Sequence, residues 1–319
     1  MSKVVINRVL LDALFNTYNA RFNAGMETAV PNVPNLLKVE DLAMLMKVSG
    51  AGTVHAWMNQ VPGMKERVGA RVIEEISVGK LTVTNRDFES TIAVPRNDIE
   101  DDNYGVFANL AQAMGASAAL LWIELAMEAF LANGLWADGF PFFCANRELS
   151  DKSGAMTNVV TTALSTAAVE QGLAVMRTWN LHGGKNADVT PVSLIVGPAS
   201  LALAKQIVEA QLVVSGGSTA SNTSTATMLK VLCDSRISGA HAGKWYIGAE
   251  KAGIKPVAVQ QRKMPTFTRM DRENDENVFM WKEYRYGTDA RGEGFLTLPF
   301  LAYAGGFKPG DIVDASAED

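Results

Sequence analysis

The sequence predicts a mixed α+β fold, and three observations carry that reading. Residues 104–133 form one long helical stretch with two apolar stripes. β-type runs lie on both sides of it, around 70–94 and again beyond 229. Helices and strands follow one another without a strict strand–helix–strand rhythm, which disfavours a doubly wound parallel sheet. The 319 residues give room for one large domain or two intimate ones. Hydrophobic residues make up 48% and charged residues 20%, which excludes a disordered chain.

Taken in order, Leu11, Phe15, Tyr18 and Phe22 recur at helical spacing and predict an amphipathic first helix. Pro31 and Pro34 then force an extended stretch. A short helix is expected at 40–48, with Leu42, Leu45 and Met46 on one side. Together these segments read as an arm. In residues 70–94 Leu81 and Val83 alternate with Thr82 and Thr84, and Asn85, Arg86 and Asp87 supply turn chemistry. Residues 88–94 run back as a second strand, ended by Pro95, so the segment reads as a long hairpin. A lone hairpin is marginal in water. It must therefore lie on its own domain or on a neighbouring subunit.

Asp98, Glu100, Asp101 and Asp102 precede the long helix and complement the positive end of its dipole. Tyr104, Phe107, Ala111, Met114, Ala118, Leu121, Leu125 and Ala129 form one stripe; Leu120, Ile123, Met127 and Phe130 form another. Such a rod is roughly 45 Å long and packs on more than one side. Asn133-Gly134 is the stop signal. DGFPFF (138–143) predicts a turn and short strand, 161–179 a helix, 193–198 a buried strand, and 199–210 a further helix. Residues 213–227 read as a polar Gly/Ser/Thr loop. Strands are expected at LKVLCD, KWYIGA and KPVAVQQ. After a charged turn at 269–276 come two stronger ones, VFMWKEYRYG and LTLPFLAYAGG.

The search for chemistry finds little. The formal charge of −5, from 29 basic and 34 acidic residues, lacks the basic excess of a dedicated nucleic-acid binder. It suits a surface close to DNA without gripping it. Cys144 and Cys233 form no paired-cysteine motif and read as reduced thiols. His55, His182 and His241 show no metal-binding spacing. The segment GAHAGKW (239–245) is one residue short of a phosphate loop and has Trp245 where a hydroxyl is needed, so it reads as a turn. No nucleophile elbow surrounds the hydroxyl-rich loop. The acids at 98–102 lack calcium-loop spacing. Trp281, Tyr284 and Tyr286 alternate as sheet core, with no basic face beside them. No cofactor or metal is expected. The N-terminus lacks a signal-peptide pattern, and no run is expected to reach the ~20 apolar residues of a membrane span.

Four segments resemble the major head subunits of Mu-like tailed bacteriophages. They are WMNQVP (57–62) with ER (66–67) and GAR (69–71); NRDFESTIAVPRNDIEDDNYG (85–105); DGFPFF (138–143); and YGTDAR (286–291) running on to AY (302–303). The second and fourth are the most specific, and the match spans about residues 10–305. Val68, where an aromatic is expected, and Asn146, where histidine is usual, depart from the pattern. The resemblance implies the Hong Kong ninety-seven-type capsid fold and a structural role rather than an enzymatic one. It divides the chain into an N-terminal arm (1–56), an extended-loop hairpin at about 67–95 with its base (57–97), a spine helix with the first part of a peripheral domain (98–190), an axial domain (191–255), and strands returning to the peripheral domain (256–319). It implies self-assembly into hexamers and pentamers of an icosahedral head around double-stranded DNA, made in the host cytoplasm. Scaffold, portal and cement proteins are the implied partners, with no membrane. The chain opens directly on the arm, so any scaffold is expected to be separate. Arg71, Arg86, Asp87, Glu89 and Arg96 are the charges expected to pair with adjoining subunits, or else merely to solvate an edge. Deleting residues 72–94 is expected to leave a folded chain unable to close shells. An encapsulin-type nanocompartment and an enzyme of unknown class are the rival readings.

Overall fold

Asn7 starts helix α1 (Arg8–Thr28) by accepting a hydrogen bond from the Leu10 amide at 2.9 Å. The computed structural model describes residues 6–50, 52–58, 78–101, 105–148, 154–181, 185–210, 212–215, 218–221 and 224–317. Leu11, Leu14, Tyr18, Phe22 and Gly25 are the buried side of α1. This helix is therefore no free arm but part of the core. After the prolines, helix α2 (Val39–Leu42) lasts one turn, and strand β1 (Ala43–Lys47) replaces the rest of the expected helix. The cause is tertiary: β1 lies parallel to a distant strand, so its backbone gains a ladder that an isolated short helix cannot match.

Strand β2 (Gly52–Met58) pairs antiparallel with β3 (Val78–Thr84), from Gly52↔Thr84 to Met58↔Val78. Strand β4 (Arg86–Pro95) follows after one residue but joins a different sheet. The hairpin expected across Asn85 is thus corrected. The chain passes from a two-stranded ribbon into the edge of a sheet, and Asn85 is the joint. Its buried side chain donates to the Gly50 carbonyl at 3.1 Å and accepts from Gln260 Nε2 at 2.8 Å.

Helix α3 (Arg96–Glu100) takes up Asp98 and Glu100, which therefore belong to their own short turn and not to the start of the long helix. The long helix is α4 (Gly105–Ala132). It is long and apolar enough to cross a membrane by length and composition, with an 18-residue mean hydropathy of 1.5, contrary to expectation. Within that window 28% of the residues are buried, and between Trp122 and Phe130 the helix is buried except at Glu124, Glu128 and, in part, Ala129. Asn133, at φ 49°, ends α4, and its amide clamps the Phe143 backbone with bonds of 2.6 and 3.1 Å. Phe142 and Phe143 are buried beside Phe130 in a turn, not a strand.

Short pairs β5 (Arg147–Glu148) with β6 (Ala155–Met156), and β7 (Asn180–Leu181) with β8 (Lys185–Asn186), flank helix α5 (Thr166–Thr178). Then come β9 (Thr190–Val196), α6 (Leu201–Val208), and a hairpin of β10 (Leu212–Ser215) with β11 (Ser218–Ser221) inside the expected polar loop. Strands β12 (Lys230–Cys233), β13 (Trp245–Glu250) and β14 (Val257–Met270) lead to helix α7 (Glu276–Trp281), β15 (Glu283–Leu296) and β16 (Ala302–Gly305). One four-stranded sheet has the order β1-β14-β15-β4; the other has β12-β9-β13-β16. One expectation changes here. VFMW is helical, so Trp281 is not sheet core, whereas Tyr284 and Tyr286 are. Of the two final strands, β15 lies in the first sheet and β16 pairs with β13 in the second.

The inward face of β15 shows how sequence sets helix position. Its side chains shrink along the strand: Tyr284, Tyr286, Thr288, Ala290, Gly292, Gly294. At one end Tyr286 meets Tyr18 edge-on, ring centroids 5.2 Å apart. At the other, a Cβ on Gly294 would lie 2.6 Å from the Leu125 carbonyl carbon. The α4 helix therefore slants onto the sheet, and only glycine admits the closest approach.

Candidate assembly surfaces

The charges singled out from sequence fall mostly on β4, an edge of the first sheet. Arg86 lies between two carboxylates. Its guanidinium donates to Glu293 at 2.6 and 2.9 Å and to Glu128 at 3.1 and 2.8 Å. It thereby ties β4 to both β15 and α4. The two acids, Glu128 first, raise the Arg86 pKa further, and Arg86 in turn lowers that of Glu128. Asp87 lies 3.1 Å from Arg291 across the β4–β15 ladder. Arg96 bonds Glu100 one turn on, at 3.0 Å. Glu89 is exposed, has no ion pair among the described residues, and faces Asp289 directly in the register. Arg71 lies outside the described residues. Arg86, Asp87 and Arg96 thus have partners within their own chain.

The β2–β3 ribbon pairs with no third strand among the described residues. Among the described residues its base is anchored: Val83 and Leu81 pack with Ala258, Phe295, Met44 and Met46. Beneath β4, where the β15 side chains shrink but α4 has not yet closed down, lies a cavity of about 180 Å³. Phe88, Met114, Leu121 and Thr288 are among its lining residues. The Thr288 hydroxyl is buried without a partner among the described residues.

Among the described residues no group of three His, Cys, Asp or Glu side chains is placed to hold a metal. Burial raises the Cys144 and Cys233 thiol pKa values and lowers that of His241, so none is poised as an activated nucleophile or charged acid. What the fold offers instead is edges, a ribbon and a long helix.

A family model for the Mu-like prophage major head subunit gpT matches residues 11–163, 156–233 and 230–306. The chain belongs to this family. It is a structural capsid protein, not an enzyme, and its place is the shell of a phage head, among many copies of itself. The head subunit is 25% identical over 294 residues to the Mu-like prophage FluMu major head subunit of Haemophilus influenzae, covering 91% of this chain and 71% of that one. It is 31% identical over 141 residues to the major capsid protein of Escherichia phage Mu, 44% of this chain and 42% of the other. The procapsid of bacteriophage JBD30 matches at 25% identity with a TM-score of 0.53, over 94% of this chain and 75% of that one. The fold is accordingly the tailed-phage, Hong Kong ninety-seven-type capsid fold, and the family match favours a phage head over a nanocompartment.

Proposed function

We propose that the head subunit forms hexamers and pentamers that close an icosahedral head around double-stranded DNA. In this reading assembly takes place in the host cytoplasm with separate scaffold, portal and cement proteins. The sheet β1-β14-β15-β4 with α1 and α4 serves as the peripheral part, and the sheet β12-β9-β13-β16 with α5 and α6 as the axial part. The β10–β11 hairpin then lies near the capsomer centre. A net charge of −5 suits a surface that sits near the DNA without gripping it.

The observation that supports this most directly is the β2–β3 ribbon. Two strands paired only with each other are marginal alone, so a neighbouring copy is the natural support. Glu89, exposed and without an ion pair among the described residues, is the charge of the predicted set most available to such a neighbour. The structure also changes the deletion that tests the idea. Removing residues 72–94 would take out nearly all of β4 and the Arg86 tie, stripping the first sheet of an edge strand. Replacing residues 56–80 with a two-residue turn keeps the Val83 anchor and β4. This variant should stay folded by circular dichroism and fail to form closed particles by electron microscopy. Normal particles would sink the proposal.

A further inference from the structure

The cavity of about 180 Å³ between β4 and α4 combines three kinds of surface. Its walls are apolar: Phe88 of β4, Met114 and Leu121 of α4, and Pro265 of β14. The spacing of Met114, Ala118 and Leu121 presents one side of α4 to it. A dry protein cavity of ~150 Å³ admits a six-carbon ring, so this one has room for a ligand of about six to eight non-hydrogen atoms.

The second surface is an unanswered polar group. Thr288 stands on the inward face of β15, lines the cavity and is 7% exposed. Its hydroxyl has no partner among the described residues. Burying a hydroxyl unbonded is costly, and native structures seldom do it. The group that answers it should be uncharged, because an ion held there would be stripped of water for one neutral contact.

The third surface is acidic. Glu89 and Glu124 line the cavity and are exposed, so they form its mouth. No Lys, Arg or His is among the lining residues. The cations beside it on the strands have partners: Arg86 is held by Glu128 and Glu293, Arg291 by Asp87 and Lys263 by Asp289. Arg262, in the irregular part of β14, is exposed and outside the lining. Arg236 comes within 3.5 Å of Glu124 but lies closer to Asp234, at 3.0 Å. Glu89 has no ion pair among the described residues and faces Asp289 across the ladder, where a like charge is unfavourable. A cation at this mouth is therefore favoured and an anion repelled.

We propose that this cavity binds a small aliphatic amine of the amino-alcohol class. The ammonium group sits at Glu89 and Glu124, the carbon chain lies along Phe88, Met114 and Leu121, and the uncharged end bonds the Thr288 hydroxyl. The site lies within one chain and does not rest on shell assembly.

The test is a titration of the unassembled full-length subunit with aminobutanol, a linear chain with an amine at one end and a hydroxyl at the other. Ionic strength is held fixed and binding is followed by saturation-transfer NMR on the ligand. A ligand this small should bind saturably with a dissociation constant of about 1 mM. Hydroxybutanoate, its carboxylate counterpart, should not bind at roughly tenfold higher concentration. The Glu89→Gln/Glu124→Gln double variant should weaken binding roughly tenfold or more, through loss of charge-assisted contacts. Thr288→Val should weaken it roughly threefold or more, and Ala118→Leu, which fills the cavity, should abolish it. Circular dichroism checks that each variant is folded; should Ala118→Leu unfold the chain, the other two variants decide. Absence of saturable binding, equal binding of hydroxybutanoate, or unchanged affinity in the Gln double variant, in Thr288→Val or in folded Ala118→Leu would each overturn the proposal.

Discussion

Gly115 of α4 lies against α1, and replacing it with alanine should destabilise the subunit although alanine is the better helix former. A Cβ at 115 would sit 2.8 Å from the Phe22 carbonyl carbon and 3.0 Å from its Cα, and nearer still to the carbonyl oxygen. Gly25 is its counterpart, with a Cβ there lying 2.9 Å from the Gln112 carbonyl carbon. Ordinary carbon–carbon contact is ~3.5–4.0 Å, so the helices must part by roughly 0.7 Å or more. A gap of that size forfeits about a quarter to a half of each contact across the seam. Leu11, Leu14, Tyr18 and Phe22 are buried on the α1 side. At ~1.5–3 kcal/mol for each of the four side chains, the lower of these fractions, a quarter, already amounts to about 1.5–3 kcal/mol. The helix-propensity gain is only ~1 kcal/mol. The net effect of Gly115→Ala is a destabilisation of at least about 0.5–2 kcal/mol, a fall in Tm of roughly 1–6 °C for the unassembled chain. The Gly25→Ala/Gly115→Ala double variant should cost less than the sum of the two, because one separation admits both methyl groups. Thermal and urea unfolding followed by circular dichroism measures this. A rise in Tm for Gly115→Ala, or strict additivity in the double variant, would refute the close-packed seam.

Three further outcomes concern the β4 surface. Arg86→Gln should cost about 1 kcal/mol near neutral pH, a modest figure because the guanidinium is half exposed. Glu128 has its folded pKa lowered below the ordinary 4.5 by Arg86. Its contribution is therefore full above 4.5 and is lost as pH falls through the folded value. The gap between Arg86→Gln and the unsubstituted chain should close in acid; a gap independent of pH across that window would contradict the ion pair. Thr288→Val removes a buried hydroxyl without a partner and should raise stability by about 1 kcal/mol in urea titration. A loss there would mean that the hydroxyl is satisfied by water in the adjoining cavity.

Much of the fold was legible in sequence because the signals were local. The stripes of α4, the first helix, the Asn133 stop and the turn before β13 all follow from spacing and cap chemistry within a few residues. The β propensity of 78–95 was legible too, but its partners were not. Alternation says that a segment wants a sheet and not which sheet. Asn85-Arg86-Asp87 has turn residues, yet the chain continues through it, because β15 and β2 offer ladders on either side. The same limit explains β1, whose short apolar pattern fits one turn of helix until β14 supplies an edge. It explains α7, where VFMW has strand composition but the buried Asn277 side chain, bonded to the Met270 and Glu283 carbonyls, holds it as a helical turn. It also explains the charges: sequence placed Arg86 at a surface, and only the fold showed that two acids 42 and 207 residues away already hold it. The sequence by itself determined the α+β class, the long helix and the family, since these rest on composition, period and local motif. The tertiary structure alone decided which strands pair, where α4 approaches the sheet and which apolar residues are left facing outward, because each of these is settled by contacts between residues far apart in the chain.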